Sequence, residues 1–157
     1  MLLDIENVLP ILEKISLLGG LSEQQLYTLF CLMETAEYRA GDIVFSQGSI
    51  PSHIYIVRKG QIKMVADVGN TPLELIVLEA GQCFGEASLI GIQPHSVTAM
   101  AVAEAELLVL SSEALHSLYE TDKELFGRFV LNIAREVARR LHKSDEILIH
   151  YTLEKTL

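Results

Sequence analysis

Between residues 35 and 110 the chain never holds a helical period. It runs instead through IVF, HIYIVRKG, QIKMVADV, LELIVLEA, SVTAMAVA and ELLVL, segments rich in β-branched residues that are either alternating or wholly apolar. Gly41-Asp42, Gly48, Gly60, Gly69-Asn70 and Gly81 punctuate them. Turn residues recurring every 8 to 12 positions or so, between strands this short, predict a sandwich or barrel of short antiparallel strands. One stretch breaks the pattern: residues 85–91 read as a single helical turn set into the β region.

Helices flank this region on both sides. From Asp4 to Glu34, Leu9, Leu12, Ile15 and Leu18 recur at helical spacing, with Pro10 suited to a first turn. Gly19-Gly20 ends that helix. Ser22 with Gln25 predicts a capping box for a second helix that turns Leu26, Leu29, Phe30 and Met33 inward. On the other side, residues 112–119 form a short helix, and Thr121 with Glu124 predicts another capping box. A long helix then runs toward Glu154, with a bend near Gly127. Its stripe of Phe126, Val130, Ile133, Val137, Leu141, Ser144, Leu148 and Tyr151 advances in steps of three and four, as a coiled-coil seam with a stutter does. The inner part can pack on its own β region. The outer part reaches too far for a small domain to cover, so the expectation is a parallel homodimer along this helix. The chain divides accordingly into residues 1–121, a β-roll with N-terminal helices, and residues 122–157, a dimerisation helix.

With 157 residues, half of them hydrophobic, one domain with a sizeable core is within reach. No apolar run is long enough to span a membrane, and the acidic start MLLDIENVLP lacks the basic opening of a signal peptide, so the expected location is the cytoplasm. Cys31 and Cys83 both sit in apolar patterns and read as buried, reduced thiols. Of the formal charge of −9, residues from Asp122 onward carry +1 and the rest −10, which opposes direct DNA binding. Catalytic signatures (HExxH, GxSxG, the P-loop, CxxC) are missing from the sequence, and His53, His95, His116, His142 and His150 do not cluster in it, so no enzyme is expected.

Two segments carry a family resemblance. AGDIVFSQGSIPSHIYIVRKGQIKMV, residues 40–65, resembles the front half of the cyclic nucleotide-binding domain in its ordered glycines Gly41, Gly48 and Gly60. FGEASLIGIQPHSVTA, residues 84–99, resembles that family's phosphate-binding cassette: a Gly-Glu opening, a short helix, and a Pro-Arg-small-small ending. ARRL, residues 138–141, is similar to the dimer helix of catabolite-activator-type regulators. The resemblance implies a mainly β fold with flanking helices, a double-stranded β-helix or jelly roll followed by the long dimerisation helix. It implies a small anionic ligand such as cAMP or cGMP, held by Gly85, Glu86, Ala87, Ser88, Pro94, His95, Ser96 and Val97. Gly85 lets the backbone come close to the ligand. Glu86, an acceptor only, suits a ribose hydroxyl. Ser96 offers its hydroxyl and amide to the phosphate. Ser144, three residues past ARRL, matches the position from which the dimer helix reaches the base.

The departure from that pattern is His95, which stands where the cassette carries arginine. A neutral imidazole has one donor and no charge, where guanidinium has a fork of donors. Three readings follow: an imidazole protonated by its bound phosphate, a pocket retuned for another anion, or an empty pocket on a dimeric scaffold. The first two predict binding that weakens as pH rises. Arg58 and Lys59, the other candidates for the missing charge, sit at a strand end that faces water. A haem-binding variant would use Cys83 or His95. Relatives with the dimer helix carry a DNA-reading module after it, for which the sequence past the helix has no room. The expectation is a sensor that signals through its homodimer to a downstream protein partner, either standing alone or as a domain of a longer regulator, with a ligand-free scaffold as the alternative.

Overall fold

Eight strands form within residues 34–111, and every pairing among them is antiparallel. The structure, a computed structural model, describes residues 9–156 with the exception of residue 11. The predicted helix start at Asp4 lies outside the described residues. One sheet has the order β1 (Glu34–Tyr38), β8 (Ala105–Ser111), β3 (His53–Lys59), β6 (Cys83–Phe84). The other has the order β2 (Ile43–Phe45), β7 (Thr98–Ala101), β4 (Ile62–Val68), β5 (Thr71–Leu78). These are the two layers that the punctuated β pattern predicts.

The apolar run at residues 54–57 within HIYIVRK has a direct cause: this part of β3 is buried on both faces. Ile54 and Ile56, with Leu108 and Leu110 of β8, face a helical layer. Tyr55 and Val57, with Leu107, face the second sheet and meet Ile62, Met64, Leu78, Phe84, Ala99 and Ala101. The β4–β5 hairpin turns on two residues, Gly69 and Asn70, both at positive φ as its register demands. Strand β5 is apolar in sequence, yet it lies at the sheet edge with Leu73, Leu75 and Ile76 exposed.

The helical layer departs from expectation in three places. Of the predicted first helix, described residues 9, 10 and 12 are helical, but the helix does not run on to the glycines: it gives way at residue 13, and a separate 3₁₀ turn forms at Ser16–Leu18. The Ser22–Gln25 capping box forms and opens α1 (Glu23–Cys31). Cys31, expected inside, is exposed at the last residue of α1, whereas Cys83 is buried. The capping box at Thr121 does not form. Thr121 ends α3 (Ser112–Thr121), its hydroxyl donating to the Ser117 carbonyl, and Glu124 turns to Arg128 at 3.3 Å. Asp122 takes the capping role for α4 (Lys123–Thr156), its Oδ1 accepting from the Leu125 amide at 3.0 Å.

Helix α4 runs 34 residues without interruption, through Gly127 as well. Its first half packs onto the body through Leu125, Phe126, Phe129, Ile133 and Val137. Asn132 is buried there, its Nδ2 donating to the carbonyls of Leu17 at 3.1 Å and Gly19 at 2.9 Å. These bonds tie α4 to the glycine turn that ends the N-terminal segment. Beyond residue 140 every described position of α4 is exposed.

Candidate functional site

The cassette begins where β6 ends. Gly85 sits at φ +82°, and a Cβ there would stand 3.0 Å from both the His53 carbonyl and the Tyr55 ring. A side chain is thus excluded twice, by backbone strain and by β3 behind it. From this turn α2 (Glu86–Gly91) projects for little more than one turn and closes on Ile92, itself at positive φ. The chain returns through Pro94 and His95, whose backbone pairs with the loop after β2: the His95 amide donates to the Ser49 carbonyl at 2.9 Å, and the Gly48 amide to the His95 carbonyl at 2.7 Å.

Between cassette, sheet and α4 lies a cleft of about 430 Å³. Its apolar wall is Phe45, Met64, Ile76, Leu78, Phe84 and Val97. The cassette supplies Gly85, Glu86, Ala87, Ser88, His95 and Ser96, and α4 supplies Glu136, Arg139, Arg140 and Lys143. Seven of the sequence-derived candidates therefore come together. Pro94 faces a separate apolar hollow with Ile50 and Ile92, and Ser144 is exposed on α4 outside the cleft lining. A larger hollow of about 640 Å³ is walled by the carboxylates of Glu37, Asp42, Glu104 and Glu106 with Arg39 and Lys59. Such a rim favours water over an apolar guest.

Glu86 is the chemical centre of the cleft. Its side chain is fully buried, at 0% exposure. Arg140 of α4 donates from Nη1 to its Oε1 and from Nη2 to the Cys83 carbonyl. Glu86 Oε2 is buried and accepts no hydrogen bond. Burial pushes the carboxyl above its usual range, and the Arg140 charge opposes that shift. A buried carboxylate oxygen without a donor is costly. Glu86 is among the residues that line the cleft. Burial likewise pushes the Cys83 thiol up to about 12, so it remains a neutral thiol.

His95 lies with its ring stacked on Phe45, centroids 3.6 Å apart and planes 8° from parallel, and is 5% exposed. Burial lowers its pKa, so the imidazole is neutral in the neutral range. A protonated His95 is therefore the reading that this environment disfavours. Arg58 does not face water as expected: it is mostly buried and pairs with Glu106 at 2.6 Å, away from the cleft.

The cations of α4 went unrecognised in the sequence. Arg139 and Arg140 lie within the ARRL motif and Lys143 follows it. Together with Glu136, at helical spacings of three and four, they form a charged stripe beside the apolar seam. That stripe was the available signal.

These features — a two-sheet roll, a glycine-glutamate cassette and a helix laid across its mouth — characterise a ligand-regulated domain, and the cyclic nucleotide-binding domain family matches residues 35–122, from β1 to the cap of α4. The chain belongs to that family. It is 30% identical over 121 residues to the cyclic nucleotide-gated channel beta-3 of Mus musculus, a match covering 73% of this chain and 17% of the channel. It is 28% identical over 130 residues to the cyclic AMP receptor protein of Thermus thermophilus, covering 82% of this chain and 58% of that protein. The chain thus spans only part of the length of these relatives. The crystal structure of Thermus thermophilus catabolite activator protein superposes with a TM-score of 0.78 at 28% identity, over 87% of this chain and 63% of that one. A cyclic nucleotide-binding domain from Methylobacillus flagellatus superposes with a TM-score of 0.81 over 92% of this chain and 82% of its own, and at 23% identity it attests the fold. Among the described residues no helix is long and apolar enough to cross a membrane.

Proposed function

We propose that this chain is a cytoplasmic, non-catalytic sensor module whose cleft takes a cyclic nucleotide, cAMP or cGMP, and whose occupancy is read out through α4. In this reading residues 1–121 supply the roll and the cassette, and the cations of α4 complete the cleft. Residues 122–157 carry the signal, through a homodimer, to a downstream protein partner. The observation that carries it is Glu86 Oε2, a fully buried acceptor without a donor, on a residue that lines a cleft with one apolar and one cationic wall. A ribose hydroxyl supplies the donor, a base suits the wall of Phe45, Met64 and Leu78, and an anionic group suits the cations of α4.

Thermal denaturation with cAMP, cGMP and 5′-AMP tests the reading. A ligand at a hundred times its dissociation constant adds about 2.7 kcal/mol, which for a chain of this size raises the midpoint by roughly 5 °C or more. The cyclic nucleotides are expected to do so and 5′-AMP to do so less. No shift with any of the three, together with no heat on titration, leaves the dimeric scaffold as the function.

A further inference from the structure

The anion that this cleft is proposed to hold needs a positive partner, and the cassette offers none. His95 is buried against Phe45 and neutral, and Ser88 and Ser96 bring no charge. All the cations in the cleft lining stand on α4. Arg140 is committed to Glu86, to the Cys83 carbonyl and, at 3.5 Å, to Glu136. Arg139 is committed to Glu136, also at 3.5 Å. The lining thus holds two carboxylates, Glu86 and Glu136, against three cations, and the two arginines already face those carboxylates. The surplus charge is Lys143. Among the described residues it makes no ion pair, and it lies three residues past Arg140 on the same side of the helix, at the cleft.

We propose that Lys143 is a ligand-binding residue: its ammonium grips the anionic group of the cleft's guest, so that the charge which selects the ligand resides on the signalling helix rather than in the cassette. The inference rests on the proposed function, since it assumes an anionic guest in this cleft. It has a mechanical consequence. A guest bonded to Glu86 on one side and to Lys143 on the other spans cassette and helix, and its arrival biases where α4 lies.

The test is titration calorimetry with whichever of cAMP and cGMP binds the wild-type chain, at low and high salt, on the wild type, K143M and K143R. Lys143 is exposed, so both variants should fold. Removing the ammonium while keeping its stem, as K143M does, is expected to weaken binding about ten-fold or more, as loss of a charge-assisted hydrogen bond does. K143M should also flatten the salt dependence, and K143R should keep both affinity and salt dependence. Unchanged affinity in K143M, or a loss that leaves the salt dependence intact, overturns the role of Lys143 while the sensor reading stands. A wild-type chain that binds neither nucleotide overturns both.

Discussion

Arg140 reaches across 54 residues of sequence to the buried carboxylate of Glu86, and in doing so latches the last helix to the cassette. The pair lines the cleft. The latch and the site therefore share atoms, and a guest that offers hydroxyls to Glu86 or an anion to the cations of α4 must alter it.

Arg140→Met should destabilise the chain by about 2 to 3 kcal/mol, because it leaves a buried charge without its partner. Glu86→Gln in the same chain should recover a large part of that loss. A double-mutant cycle from urea unfolding measures the coupling. Strictly additive losses would mean that the two side chains meet without stabilising one another.

The pH dependence of stability follows from the direction of the Glu86 shift. Burial raises its pKa, so the folded chain holds that proton more tightly than the unfolded chain does. The stability this contributes is full below the unfolded value and is lost as pH rises through the raised folded value. Glu86→Gln should therefore gain on the wild type as pH is raised from about 4 to about 7. Denaturation midpoints of the two proteins across that range read the difference. A constant gap would mean that Glu86 titrates alike in both states.

His95 works in the opposite sense, since burial lowers its pKa and the folded chain refuses the proton. Because the imidazole is neutral in the neutral range, nucleotide affinity should be nearly the same at about pH 7 and about pH 8. The sequence alone suggested the reverse, binding that weakens with rising pH, because it showed a histidine in an arginine's place and not the Phe45 ring stacked on it. Affinity that falls with pH would return the charge to His95.

Much of this architecture was legible from residue order. The two sheets follow from glycine punctuation, and the helical turn at residues 86–91 from the break it makes in the β pattern. The capping box at Ser22 and Gln25 was equally plain. Local signals failed where two neighbours compete for one role: Thr121 and Asp122 can each cap a helix, and because Thr121 is taken up as the last residue of α3, the cap falls to Asp122. The site was half legible. Gly85, Glu86 and Ser96 fall within one twelve-residue segment and are legible together. Arg140 and Lys143 belong to the site because α4 folds back across it; the charged stripe marks them as a set, but which distant segment they meet is not written in that stripe.

Gly85→Ala should remove ligand binding with a modest stability loss, of order 1 to 2 kcal/mol for left-handed backbone on a residue with a Cβ. Its Cβ would press on the His53 carbonyl and the Tyr55 ring, both at 3.0 Å, and push the cassette turn outward. Gly60→Ala offers the control. Gly60 also has positive φ, but its Cβ would strike the Glu104 carbonyl and Ala105 Cα, backbone atoms that cannot yield. It should cost more stability than Gly85→Ala while sparing the cleft, of which it forms no part. Thermal midpoints and nucleotide titrations of both variants separate the two effects. A Gly85→Ala chain that binds as the wild type does would show that the turn need not be tight.

The outer half of α4 supplies the last expectation. Leu141, Leu148 and Tyr151 are 62%, 62% and 55% exposed, on a seam whose inner members Phe126, Ile133 and Val137 are covered by the body. A helix segment extending beyond its own domain gains little from propensity alone and needs packing to persist. A second copy of the same seam, laid parallel, provides that packing. The wild-type chain is therefore expected to sediment as a dimer. Leu141→Glu with Leu148→Glu should yield a monomer that has lost helical signal from the outer segment and retains the thermal transition of the β-roll. Wild-type chains that sediment as monomers at all accessible concentrations would rule out the paired helix. A dimer that survives both glutamates would move the interface elsewhere, and the exposed edge strand β5, with Leu73 and Leu75, would be the next face to test.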